Sequence, residues 1–227
     1  MILSLETSTS VCSLALHQEG LCLAEQVYNL PKSHATLMPE VIRQLLDNLN
    51  VQRSALEAIA ISDGPGSYTG LRIGTATGKG LCSALEIPLI SINSLDIMIE
   101  EIRPIVADIS YIAPMIDARR MEVYMKLIDK KGSELKDTRA VILTPDLFDN
   151  YIEYPILLVG DGARKCEGFI DHPHLKIVPD IYPRAQCMGI LAFQKFKEGS
   201  FENLQDFEPN YLKEFHTMPS KNPLGNL

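Results

Sequence analysis

The chain has 227 residues, 46% of them hydrophobic and 22% charged, values close to those of folded globular domains. A chain of this length buries roughly 70–75% of its unfolded surface, and no run approaches the ~18 apolar residues of a membrane helix, so the disordered and membrane-spanning classes are excluded. Its 29 acidic and 21 basic residues leave a net charge of -8, which argues against gripping nucleic acid alone, because neutralised phosphates supply most non-specific affinity.

Cys12, Cys22, Cys82, Cys166 and Cys187 are odd in number and scattered, with no Cys-x-x-Cys pair. Neither a disulfide framework nor a zinc site is expected. Met1-Ile2-Leu3-Ser4-Leu5-Glu6 has no basic residue ahead of its apolar run, so no secretion signal and a cytoplasmic location are expected.

In chain order, residues 1–6, 11–17 and 21–28 read as three short strands separated by Thr7-Ser8-Thr9-Ser10 and Gln18-Glu19-Gly20, both turn-forming sequences. They predict a three-stranded meander. Residues 36–50 read as a helix capped by Ser33 or Thr36, with Pro39 accommodated in its first turn. A strand (58–62), a glycine-rich turn, a helix (71–86), a strand (88–92) and a helix (95–102) follow, and Pro104 ends that half.

The second half opens with paired strands at 111–116 and 122–128, then a helix at 145–151, a strand at 156–159 and a helix at 184–197. From Ser200, with Pro209, Pro219 and Pro223, the chain reads as an extended tail. Two α/β halves that each begin with strands and return through helices fit a doubled architecture: a first lobe over 1–106, a reduced second lobe over 107–199 and a tail over 200–227 that can pack back on the first lobe.

Between a buried strand and a helix start lies Asp63-Gly64-Pro65-Gly66-Ser67-Tyr68-Thr69-Gly70. Glycines let backbone amides approach a ligand, and a helix N-terminus offers unpaired N–H groups to an anion. The turn reads equally as a phosphate cradle and as a tight strand-to-helix connection needing positive φ. It is not a P-loop: the Gly74 to Gly78 spacing is one residue short, and Lys79 is followed by Gly80.

The helix after the turn carries Gly70, Gly74 and Gly78 within one ~80° arc, flanked by Leu81 and Leu85. Internal Gly74, Gly78 and Gly80 forfeit roughly 3 kcal/mol of helix propensity against alanine. Close approach of another backbone along the bare face would offset that, whether from the chain's own sheet or from a partner. On the preceding helix Leu37, Met38, Val41, Ile42, Leu45, Leu46 and Leu49 cover about half the cylinder, more than one packing surface requires. Its own sheet and a second subunit are the two surfaces this predicts; a fully internal position is the competing explanation.

Three stretches together resemble one family: Leu3-Ser4-Leu5-Glu6-Thr7-Ser8-Thr9; the loop from Gly64-Pro65-Gly66-Ser67-Tyr68-Thr69-Gly70 through Leu71-Arg72-Ile73-Gly74; and Met115-Ile116-Asp117-Ala118-Arg119 with Glu122-Val123-Tyr124. Glu208-Pro209-Asn210-Tyr211-Leu212 is similar to its C-terminal signature. The family is TsaB, also called YeaZ, and the match runs from end to end. The resemblance implies an actin-like α/β fold, as in sugar kinases and chaperone ATPases, with two related lobes. It implies a dimerisation subunit for a larger paralogue, TsaD, which transfers threonylcarbamoyl to tRNA, joined by a small ATPase, TsaE, with tRNA engaged only through the complex and a homodimer in isolation.

An older glycoprotease, or M22 peptidase, label for similar proteins would imply a hydrolase. Threading the catalytic paralogue's metal-binding His-x-x-x-His pair onto this chain places Ser94 and Met98 there, neither a suitable ligand. His17, His34, His172, His174 and His216 form no such pair, and the 171–174 stretch reads as a solvated turn. No serine sits in a Gly-x-Ser-x-Gly elbow. The remaining enzymatic alternative is an actin-like small-molecule kinase or ATPase, with ATP or ADP held by Thr7, Ser8 and Thr9 together with Gly64, Gly66, Ser67, Thr69 and Gly70. Against it, Glu6 stands where many nucleotide-using relatives place aspartate.

The expectation is therefore a scaffold with no catalytic residue, metal or required cofactor. Leu37, Val41, Leu45, Gly70, Gly74, Gly78 and Leu81 would form its subunit interface, with Arg72 and Lys79 on the solvated arc. Asp117, Arg119 and Glu122 form a polar cluster whose simplest reading is an internal salt bridge.

Overall fold

The computed structural model describes residues 1–29, 34–106 and 108–213. Ser33, His216, Pro219, Pro223 and the tail past 213 lie outside the described residues, as does the side chain of His34. The first half runs β1 (Ile2–Glu6), β2 (Cys12–Gln18), β3 (Leu21–Tyr28), α1 (His34–Asn48), β4 (Ala58–Gly64), α2 (Tyr68–Leu85), β5 (Leu89–Asn93) and α3 (Ser94–Ile102). The second runs β6 (Tyr111–Asp117), β7 (Glu122–Asp129), β8 (Glu134–Ile142), β9 (Ile156–Val159), β10 (Leu175–Val178) and α4 (Gly189–Glu198).

Each half builds one five-stranded sheet, in the orders β3-β2-β1-β4-β5 and β10-β9-β6-β7-β8. Read from the opposite edge, the second repeats the first. In both, an antiparallel three-stranded meander is extended by two parallel strands. The copies differ in their connections. Where the first half inserts the 15-residue α1 and the 18-residue α2, the second has only the 3-10 turns Asp149–Tyr151 and Asp161–Cys166. The fold is α/β with a duplicated actin-like topology, its second half reduced.

β1 is buried along its whole length, as a central strand covered on both faces must be. One face packs Leu3, Leu5, Leu14, Ile59 and Ile61 against Met38, Val41, Leu45 and Cys82 of α1 and α2. The other face sets the small residues Ala15, Ala58 and Ala60 among Ile2, Ile90 and Ile92, and receives Ala185, Met188 and Ala192. α3 lies between the sheets, giving Ile97 to this second cluster and Leu95, Met98, Ile99 and Ile102 to one that includes Ile112, Ile116 and Val159 of the second sheet.

Several sequence expectations change. The predicted helix at 145–151 reduces to the single turn Asp149–Tyr151, with Phe148 buried against the second sheet. The predicted helix at 184–197 divides into the 3-10 turn Ala185–Met188 and α4. Both cover the first sheet, so this stretch belongs structurally to the first lobe rather than to residues 107–199. Pro39 falls at the sixth position of α1, past its first turn, because the helix begins before Thr36. Met38, Val41, Ile42, Leu45 and Leu46 are all buried inside the chain, so the internal explanation accounts for the wide apolar face of α1.

Candidate functional site

The sequence-predicted loops meet at the C-terminal ends of β1 and β4, where ligands of open α/β sheets bind. Thr7 Oγ1 donates to the carbonyl of Gly70 at 2.8 Å, and Ser67 N–H donates to the carbonyl of Ser8 at 2.6 Å. A Cβ at Gly66 or Gly70 would collide with the carbonyls of Ser8 and Thr7; glycine is required here for contact between the two loops. Thr7 and Ser8 are fully buried, while Thr69 is exposed. Ser67 caps α2 by accepting from Gly70 N–H, so part of the helix's anion-binding capacity is taken by the chain itself.

Two carboxylates lie beneath these loops. Glu6 is completely buried; its Oε1 accepts from Ser8 N–H at 2.6 Å and its Oε2 has no partner among the described residues. Burial pushes its pKa up to about 7, against hydrogen bonds from Ser8 and Ser62 that favour the charged form. Asp63 is likewise raised to about 6 by burial, with Lys195 opposing and Glu202 and Asp96 reinforcing the shift.

The C-terminal segment crosses over this region. Glu202 pairs with Leu89 of β5, Lys79 Nζ donates to the carbonyls of Gln205 and Phe207, and Asn210 N–H donates to the carbonyl of Asp63 at 2.7 Å. The Tyr211 ring lies 4.8 Å from that of Tyr68, which Arg72 covers from 4.4 Å. Lys213 then reaches the second lobe, donating to the carbonyl of Ala118 and pairing with Glu122. What remains between Gly66, Tyr68, Tyr124 and residues 210–213 is a crevice of about 30 Å³, room for about two waters. A larger open groove of about 560 Å³, beside Gly20, Ile190 and Phe193, contains none of the sequence-predicted residues.

The Asp117, Arg119 and Glu122 motif forms the β6–β7 turn. Its ion pairs run to Lys165 and Lys213, not to Arg119: Lys165 Nζ donates to Asp117 Oδ1 at 2.6 Å and to the Glu122 carbonyl at 2.8 Å. Burial raises the pKa of Asp161, which accepts from Asp117 N–H.

A family model described as tRNA N6-adenosine threonylcarbamoyltransferase, TsaD, matches residues 23–144. The chain is 34% identical over 135 residues to the tRNA threonylcarbamoyladenosine biosynthesis protein TsaB of Bacillus subtilis, an alignment covering 60% of this chain and 58% of that relative's length. It is 30% identical over 218 residues to the same-named protein of Buchnera aphidicola subsp. Schizaphis graminum, covering 91% of this chain and 98% of that one. The chain belongs to the TsaB family. The solved structure of YeaZ from Pseudomonas aeruginosa superposes with a TM-score of 0.79 at 29% identity, covering 93% of this chain and 99% of that one.

For a member of the TsaB family, two groups of predicted residues take unexpected positions. Gly70, Gly74 and Gly78 face the chain's own sheet: a Cβ at Gly74 would strike Thr7 Oγ1, and one at Gly78 would lie 2.7 Å from Ile61 Cγ2. Val41 and Leu45 are 2% exposed, and Leu37 and Leu81 pack at the rim of the same core. The glycine stripe thus repays its propensity cost internally and offers no partner surface. Gly80, which falls off that stripe, has nothing within 4 Å of its Cβ position. Thr69, Arg72, Ala76, Gly80, Ser83 and Ala84 form the outward face of α2, a direction that the helical wheel alone does not give, since Ile73 lies within about 20° of Gly80 yet packs on the core.

Ser94 and Met98 are fully buried in α3, and no group of three His, Cys, Asp or Glu able to hold a metal occurs among the described residues. His17 is buried between Ser4 and the carbonyl of Gln186, and its pKa is lowered by burial. His172, expected in solvent, is buried too, with Nε2 3.2 Å from the carbonyl of Tyr151 and Nδ1 accepting from His174 N–H. No helix among the described residues is long and apolar enough to cross a membrane.

Proposed function

We propose that this chain is the non-catalytic dimerisation subunit for a TsaD-type transferase in the formation of threonylcarbamoyladenosine on tRNA, working in the cytoplasm. The observation that carries this reading is the full-length similarity to relatives named for that biosynthesis, the Buchnera protein above all. The match of residues 23–144 to the transferase family model supports a paralogous partner, since related folds can pair through equivalent surfaces. Absence of catalysis is supported by the positions threaded onto the transferase's metal ligands, where buried Ser94 and Met98 offer no coordinating pair.

The partner surface is the outward face of α2 with the rim of α1 at Leu37. Small side chains at Ala76, Gly80, Ser83 and Ala84 allow a second helix to approach closely. In isolation the same face joins two copies of the chain, and a TsaE-type ATPase completes the assembly with tRNA. No nucleotide is required by this chain: buried Thr7 and Ser8 and the contact between the two loops count against an ATP or ADP site and the kinase reading. The test is reconstitution of threonylcarbamoyl transfer with each component omitted. Loss of transfer without this chain, and no transfer, ATPase or peptidase turnover by the chain alone, is the expected result; enzyme-like turnover by the isolated chain overturns the reading.

A further inference from the structure

The β6–β7 turn carries two consecutive residues in the left-handed region, Arg119 (φ 66°) and Arg120 (φ 47°). Tight hairpins favour Asn or Gly at such positions, because a Cβ disfavours left-handed backbone. Arginine at both is unfavourable for the fold, and each side chain is exposed with no ion-pair partner among the described residues. The acids that could neutralise them are engaged elsewhere: Asp117 by Lys165, and Glu122 by Lys213. The turn itself is held firmly by Asp117 Oδ1, which accepts from Arg119 N–H, and by the Glu122 N–H bond to the Arg119 carbonyl. A chain of net charge -8 thus presents two uncompensated guanidinium groups on a rigid turn.

We propose that Arg119 and Arg120 contact the phosphodiester backbone of the RNA substrate in the assembled complex. This rests on the function proposed above. Guanidinium groups pair with phosphate oxygens through two parallel N–H bonds, and the hydrogen-bonded turn fixes the backbone from which both project. The contact is positional and sequence-independent. It is consistent with tRNA being engaged only through the complex, and it adds a small local contribution from this chain.

The experiment uses the complete complex of this chain with its TsaD-type and TsaE-type partners and an unmodified tRNA transcript, with affinity measured across a salt series. The double variant Arg119→Asn/Arg120→Gly places favoured turn residues at both sites, and Arg119→Lys/Arg120→Lys retains the charge. The first is expected to melt at or above the wild-type temperature and to co-elute with its partners. Its tRNA affinity falls, and the slope of log affinity against log salt shrinks by about 2; the lysine pair keeps most of that slope. An unchanged slope, or loss of the partners from the complex, overturns the proposal, the second outcome marking the turn as a protein contact. If wild-type partners modify tRNA equally well without this chain, it is the underlying function that fails.

Discussion

Thr7 Oγ1 donates a 2.8 Å hydrogen bond to the carbonyl of Gly70, joining the end of the first strand to the first turn of α2 at a point where neither residue has room for a larger neighbour. Replacing Thr7 by Val keeps the volume and removes the donor. The Gly70 carbonyl then loses this buried donor, and a loss of about 1–2 kcal/mol is expected, read as a lower urea midpoint with an unchanged m-value.

The α2 glycines separate folding from assembly. Gly74→Leu forces a side chain into Thr7 and should cost about 1–3 kcal/mol or more as an overpacked core site, lowering the melting temperature before any partner is added. Gly80→Leu places its side chain in open space and should gain several tenths of a kcal/mol from helix propensity, while abolishing co-elution with the TsaD-type subunit. Retained wild-type pairing by the Gly80 variant removes the outward face of α2 from the interface.

Glu6 imposes a pH dependence opposite to that of most carboxylates. Its folded pKa, about 7, exceeds the ordinary 4.5, so the folded state binds the proton more tightly than the unfolded chain. Stability is therefore lost as pH rises between about 4.5 and 7, by about 3 kcal/mol for this group. Asp63, raised to about 6 from 3.8, acts in the same direction between those values. Glu6→Gln should flatten the fall in melting temperature between pH 5 and pH 8, and it should raise stability at pH 8; an equally steep fall in this variant assigns the effect elsewhere.

Phe207 anchors the C-terminal segment on the first lobe's core, and Lys79 holds the carbonyls beside it. Phe207→Ala should cost about 1–3 kcal/mol and leave residues 202–213 open to protease at a concentration that spares the wild-type chain. Cleavage confined to other loops would show that the segment is held by its polar contacts instead.

The sequence discloses the first sheet well because its strands are apolar, short and separated by strong turn residues, and because α2 and α3 follow glycine and asparagine signals. β8 escapes notice since Glu134, Lys136, Asp137 and Arg139 give it the polar character of an exposed edge, which protects against edge pairing. β10 is four residues long and carries Lys176. Pro145 and Asp146 signal a helix start, but a one-turn connection uses the same residues. The pairing of Thr7, Ser8 and Thr9 with the Gly64 to Gly70 turn could be anticipated from strand order. The direction of the glycine stripe could not: a helical wheel tells which residues share a face, and only packing tells what that face meets. That the tail can return to the first lobe is within reach of the sequence, but the particular contacts of Asn210, Tyr211 and Lys213 are single and without periodicity, so the sequence does not disclose them.

The placement of α4 has a consequence for the birth of the molecule. A ribosome delivers the first half of a chain before the second, yet Ala15, Ala58, Ala60 and Ile90 are covered by Ala185, Met188 and Ala192, residues translated well after those strands. Until then α3 alone, through Ile97, shields that face, and an emerging N-terminal half cannot complete its core until the later stretch has left the exit tunnel.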